Sequence, residues 1–234
     1  MAEEAGILLD FDGSLSAIVA RPDDARPVEG AREVLAALAV RYRVVAVISG
    51  RRSEEVAALL DVPKVRYFGL YGLEEAAPEL VAVVAPRVQA AAAAVPEAWV
   101  EDKGASIAVH YRQAPDPAMA RAQLIAALGE VASSAGLELV EGKMVVELVP
   151  AGRPRKGGAV ERIVGENELS AALFAGDDVA DVEAFHVLDS LAEQGLLAVK
   201  VAVRGEDTPR ELLDGAAVVV DGPTGLVELL RQLT

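Results

Sequence analysis

Gly6-Ile7-Leu8-Leu9-Asp10-Phe11-Asp12-Gly13-Ser14 decides the fold: a short, unbroken apolar run ends abruptly in two carboxylates and a glycine. An apolar run without polar alternation suits a strand covered on both faces, as in a parallel sheet. The pattern returns at Val44-Val45-Ala46-Val47-Ile48-Ser49, at Leu173-Phe174-Ala175-Gly176-Asp177 and over 199–203. Between these runs the apolar residues recur at helical spacing over 28–40, with Val34, Leu35 and Leu38 on one face, and over 53–60, 157–164, 179–191 and 222–233. Strand and helix alternate, which predicts an α/β domain with a doubly wound, mostly parallel sheet.

Residues 78–152 read differently. An Ala-rich helix over 78–94 is followed by two strand pairs, with turns centred on Lys103-Gly104 and Glu141-Gly142, and a helix over 118–135 between them. Strand periodicity sets Ile107, Val109 and Tyr111 against Ser106, His110 and Arg112, and Met144, Val146 and Leu148 against Lys143, Val145 and Glu147. The expectation is one sheet with helices on its apolar side and polar groups on the other, forming a smaller α/β domain inserted into the first. Trp99 is expected in its core. The expected division is 1–77 with 153–234 for the larger domain and 78–152 for the insert, with Pro78 and Gly152-Arg153-Pro154 as the linker-like signals.

Composition narrows the chemistry. The 234 residues are 53% hydrophobic, enough to build a core, and 22 Lys and Arg stand against 37 Asp and Glu, a formal charge of −15. Nucleic acids and anionic membrane surfaces would meet net repulsion, so neither is expected as a partner. The opening Met1-Ala2-Glu3-Glu4 lacks the basic flank and long apolar stretch of a signal peptide, and a cytoplasmic monomer is expected. There is no Cys, and there are only two His. Disulfides, thiolate metal sites and cysteine nucleophiles are thereby excluded, and any metal would need oxygen ligands.

In open α/β sheets, ligands sit at the carboxyl ends of the strands. Asp10 and Asp12, Ser49-Gly50-Arg51, and Asp177-Asp178 with Asp181 all follow such ends, and Lys156 opens the helix after the insert. Two carboxylates about 4 Å apart repel by roughly 4 kcal/mol at an effective dielectric near 20, so a converging cluster needs a counter-charge. Oxygen-only ligation points to Mg²⁺, with Lys156 and the Ser49 hydroxyl to receive phosphoryl oxygens. Each piece taken alone has a plainer reading: Asp10 to Gly13 as a turn, Asp178 or Ser49 as a helix N-cap, Lys156 as a solvated helix start.

The set as a whole, Asp10-x-Asp12-Gly13-Ser14, Ser49 in Ile48-Ser49-Gly50-Arg51, Lys156, and Gly176-Asp177-Asp178-x-x-Asp181, resembles the four motifs of the haloacid dehalogenase superfamily, in order and over nearly the whole chain. More narrowly, with Gly69-x-x-Gly72-x-Glu74, Glu101-Asp102-Lys103-Gly104, His110-Tyr111-Arg112 and Lys156-Gly157 added, the chain is similar to trehalose-6-phosphate phosphatases. That resemblance implies a C2-type cap where the insert lies, and hydrolysis of trehalose 6-phosphate through an aspartyl-phosphate. It implies Asp10 as nucleophile, Asp12 as acid and base, and Ser49 and Lys156 as phosphoryl binders, with Gly50 and Arg51 beside the substrate. Mg²⁺ would be held by Asp10, Asp177 and the Asp12 main-chain carbonyl, supported by Asp178 and Asp181. Glu101, Lys103, His110, Arg112, Lys143 and Glu147 would grip the sugar.

The sequence departs from the family pattern in places. Ser14 stands for Thr, Ala180 and Val182 replace a Thr and a Glu of the fourth motif, and Tyr71 lies where many members have His. The alternatives are the same chemistry on another sugar phosphate and a non-catalytic sugar-phosphate-binding regulator. A receiver-type signalling domain also clusters Asp around a Lys, but it needs about half this length and pairs its acidic residues early in the chain.

Overall fold

A computed structural model describes residues 2–72, 78–104, 106–150 and 156–234. In chain order its strands and α-helices are β1 (Ala5–Leu9), α1 (Ala31–Arg41), β2 (Val44–Ile48), α2 (Ser53–Leu60), β3 (Arg66–Phe68), α3 (Pro78–Ala93), β4 (Trp99–Asp102), β5 (Ile107–His110), α4 (Pro117–Ala135), β6 (Leu137–Gly142), β7 (Val145–Pro150), α5 (Lys156–Glu166), β8 (Ala171–Gly176), α6 (Val179–Glu193), β9 (Leu197–Arg204), α7 (Arg210–Gly215), β10 (Val218–Asp221) and α8 (Gly222–Arg231). They divide into two compact units, Met1–Gly72 with Pro154–Thr234, and Leu73–Arg153. The borders expected from sequence fall at or beside residues outside those described.

In the first unit six strands form one sheet in the order β10-β9-β8-β1-β2-β3, and every pair is parallel. Strand side chains alternate between two apolar layers. Ile7, Leu9, Val45 and Val47 face Leu35 and Leu38 of α1, Leu60 of α2 and Leu226 of α8. Leu8, Ala46, Ile48 and Phe174 face Val160 of α5, Phe185 of α6 and Leu212 of α7. Covering on both faces is what the unbroken apolar runs required. From the central β1 the chain moves outward through β2 and β3, then returns to build β8, β9 and β10 on the other side. The order therefore reverses between β1 and β8, the position at which open α/β sheets bind ligands at their carboxyl ends.

The second unit is an antiparallel sheet in the order β4-β5-β7-β6. Ile107, Val109, Val146 and Leu148 pack with Val84 and Val88 of α3 and Leu124 and Leu128 of α4. Asp116 caps α4, accepting from the Met119 amide, and the left-handed Gly136 ends it.

Three expectations for this sheet need correction. Lys143 and Met144 form the tip of the β6–β7 hairpin and are not strand residues, because Met144 adopts a left-handed φ of 61°. The turn thus lies two residues beyond the Glu141-Gly142 expected to make it. Arg112 falls past the end of β5, so it does not continue the alternation from His110. Trp99 is 43% exposed, because its cross-strand partner is His110 and both belong to the face opposite Val100 and Val109.

Candidate active site

The strand register brings the acidic residues together. Leu9 pairs with Val47 on one side and Ala175 on the other, so Asp10, Ser49 and Asp177 leave the sheet at nearly the same level. The Asp10 amide still donates to the Ala175 carbonyl at 2.9 Å, which fixes where its side chain starts. The chain then winds into a tight turn in which Phe11 O accepts from the amides of Leu15 and Ser16. Gly13 takes a φ of 92° there, and a Cβ on it would lie 2.1 Å from Asp177 Oδ2. Only glycine allows this approach. Ser14 is fully buried, and its hydroxyl donates to Asp177 Oδ1 at 3.3 Å.

Asp178 caps α6, accepting from the Ala180 amide, and Asp181 completes a capping box. The cap and the cluster share one residue. Asp181 Oδ2 accepts from the Asp177 and Asp178 amides at 2.8 and 2.9 Å, while its Oδ1 accepts from Lys156 Nζ at 2.6 Å. Lys156 Nζ also donates to Asp10 Oδ1 at 2.6 Å, and the Asp178 carboxylate is 3.9 Å away. Lys156, Asp10, Asp177 and Asp181 are all buried.

One ammonium does not balance these carboxylates. Burial pushes the Asp10 carboxyl well above its ordinary range; Lys156 opposes that, and Asp177 and Asp178 add to it. Burial, then Asp181 and Asp178, raise Asp177 to about 7. Burial also raises Asp181, against the pull of Lys156. For Lys156, burial works against the charge, but Asp10 and Asp181 outweigh it and hold the ammonium well above its ordinary value. Asp10, Asp177 and Asp181 each offer an oxygen within 4.8 Å of one another. This hard-oxygen donor set, with more buried negative than positive charge, fits a divalent cation such as Mg²⁺. Asp181 has both oxygens engaged by Lys156 and two amides, so Asp10 and Asp177 are the carboxylates better disposed to ligate.

Ser49 is buried at the end of β2, its amide donating to Phe68 O and its hydroxyl accepting from the Arg51 amide at 3.1 Å. The segment after β3 clasps this loop: the Leu70 amide donates to Arg51 O and the Tyr71 amide to Ser49 O. Leu70 and Tyr71 both adopt left-handed backbone, with φ of 50° and 58°. Such conformations cost roughly 1–2 kcal/mol each outside glycine. The Tyr71 hydroxyl fills the space that a side chain on Gly50 would need, and its ring centroid lies 5.8 Å from Lys156 Nζ. Arg51 forks onto Asp12, Nε to Oδ2 at 2.7 Å and Nη2 to Oδ1 at 2.8 Å, and also donates to Pro22 O. Sequence reasoning set Arg51 beside the substrate and missed this clamp. It also named Ser14 and Tyr71 as departures without assigning them contacts. Glu74, part of the quoted pattern, lies outside the described residues.

On the polar face of the second unit's sheet, His110 Nε2 and Glu101 Oε2 are 2.7 Å apart. Glu147 accepts from Ser106 Oγ at 2.5 Å and from Lys103 Nζ at 3.4 Å. Lys143 lies in the hairpin turn and Arg112 just past the end of β5, and Arg112 Nη2 donates to Lys143 O.

The trehalose-phosphatase family model matches residues 8–211. The chain belongs to the trehalose-phosphatase family. It is 31% identical to a trehalose-phosphate phosphatase of Mycobacterium avium (strain 104) over an alignment of 246 residues, covering 97% of this chain and 61% of that protein. This chain thus spans about three-fifths of that relative's length. Among solved structures it is similar to the C-terminal domain of the C. albicans trehalose-6-phosphate phosphatase, with a TM-score of 0.81 and 22% identity over 99% of this chain and 94% of that one. A haloacid dehalogenase-like hydrolase from Bacteroides thetaiotaomicron shares the fold, with a TM-score of 0.72 at 13% identity over 99% of this chain and all of the other. Family and fold thus agree with the motif reading. No helix among the described residues is long and apolar enough to cross a membrane.

Proposed function

We propose that this chain is a Mg²⁺-dependent phosphatase that hydrolyses a sugar monophosphate, trehalose 6-phosphate, through a phosphorylated Asp10. Family membership supports the reaction class. The observation that carries the reading is the buried Lys156 set 2.6 Å from Asp10, beside an Asp177 raised to about 7, at the sheet's switch point. Phosphoryl transfer needs alignment and charge neutralisation, and these groups supply both.

Asp10 and Asp177, with the Asp12 main-chain carbonyl, would hold the cation, while Asp178 and Asp181 support them. When bound, Mg²⁺ supplies positive charge to the phosphoryl oxygens. Lys156 and the Ser49 hydroxyl bind the same oxygens. A carboxylate oxygen of Asp10 attacks phosphorus as the bond from phosphorus to the sugar oxygen breaks, and Asp12 gives that oxygen its proton. Water then attacks the phosphorus of the aspartyl-phosphate, and Asp12 takes the water's proton. Inorganic phosphate leaves and the Asp10 carboxylate is restored. Arg51 holds Asp12 in one orientation, and Gly50 leaves room for the Tyr71 hydroxyl against its loop. Glu101, Lys103, His110 and Glu147 bind sugar hydroxyls, with Lys143 and Arg112 at the rim of that face.

A phosphate-release screen over a panel of sugar phosphates tests the substrate. Trehalose 6-phosphate should give the highest kcat/KM, and EDTA should abolish turnover. A higher kcat/KM on a hexose phosphate would replace the substrate, and full activity in EDTA would refute the metal requirement.

A further inference from the structure

The sole tryptophan of the chain is exposed on a polar sheet face, which is an unusual place for a large aromatic side chain. Trp99 is not loosely held. Its ring lies flat on the His110 imidazole, with centroids 4.1 Å apart and planes 8° from parallel. The two residues are cross-strand partners, and Glu101 anchors His110 at 2.7 Å. The indole is therefore backed, oriented and left with exposed surface.

Two residues along the same face, Glu101 pairs with the buried Ala108, which in turn pairs with Glu147. The face thus carries a rigid aromatic plane beside carboxylates already fixed by hydrogen bonds. Neutral sugar rings have the complementary chemistry: a C–H face that lies on an aromatic ring and a rim of hydroxyls that donate to carboxylates. Binding sites for small molecules combine apolar aromatic surface with a few fixed polar groups in the same way.

We infer that Trp99, backed by His110 and Glu101, is a stacking platform for a neutral pyranose ring and sets specificity for the sugar part of the substrate. The inference rests on the sugar-phosphate reading and adds to it a residue and a mode of recognition.

Because Trp99 is the only tryptophan, its emission reports on this platform without any turnover. Trehalose, sucrose and glucose are each titrated into the full chain in EDTA, with glycerol as control. At least one sugar should change the emission saturably, and glycerol should not. Trp99→Ala should raise KM for trehalose 6-phosphate about tenfold, the loss of one aromatic contact, and Trp99→Phe should recover most of it. Unchanged emission with all three sugars in a chain that hydrolyses sugar phosphates overturns the platform. A saturable response in a chain that hydrolyses none upholds the platform and overturns the phosphatase reading. Unchanged emission without hydrolysis overturns both.

Discussion

At the scale of single residues, the centre of the first unit is an unbalanced set of charges, and two measurable consequences follow. Asp177 binds its proton more tightly in the folded chain than in the unfolded one, with a value of about 7 against an ordinary 3.8. A carboxyl raised in this way contributes stability that is fully present below the unfolded value and lost as pH rises towards 7. In EDTA, denaturation midpoints should therefore fall on going from pH 6 to pH 8, by about 1 kcal/mol of unfolding free energy from this group. Mg²⁺ should stabilise the chain at pH 8 and flatten the dependence; equal stability at both pH values in EDTA would contradict the raised Asp177. The second consequence concerns Arg51, whose fork fixes Asp12. A lysine keeps the charge and loses the paired geometry. Arg51→Lys should lower kcat/KM for a sugar phosphate by about tenfold to a hundredfold, because in the proposed mechanism its alkoxide leaving group takes a proton from Asp12. On p-nitrophenyl phosphate, whose leaving group needs none, kcat/KM should barely move. An equal loss on both would assign Arg51 to the phosphate itself.

At the scale of elements, the strands that carry the candidate site residues are also those most legible in the sequence. β1, β2 and β8 are buried on both faces, so their apolar runs are unbroken and their acidic or hydroxyl ends stand out. The edges were harder to read. β3 has three residues, one of them the exposed Arg66, and β10 is half-covered, so neither stands out as a buried strand. The Met144 turn was missed because a glycine two residues earlier offered the more obvious left-handed position. Contacts such as the Arg51 fork and the Tyr71 clasp join residues through tertiary geometry that no spacing encodes. Within the first turn, Gly13 is the element's weak point. Gly13→Ala combines a positive φ with a collision on the Asp177 carboxylate. It should destabilise the chain by more than about 1–2 kcal/mol and remove the Mg²⁺-dependent rise in melting temperature. A variant with unchanged stability and metal response would show that Asp177 does not depend on this approach.

At the scale of the whole molecule, a chain of net charge −15 is proposed to bind an anionic phosphate. The local arrangement resolves that tension: part of the acidity is gathered at one switch point, where the proposed cation would bind, with Lys156 already in place. The absence of Cys and the scarcity of His fit chemistry carried by oxygen ligands. The central claim is that Asp10 carries the phosphoryl group, and phosphate release by Asp10→Asn tests it most directly. With trehalose 6-phosphate and Mg²⁺, and with folding checked by circular dichroism, the variant should lose activity by about a thousandfold or more. Hydrolysis by folded Asp10→Asn at the wild-type rate would contradict the account.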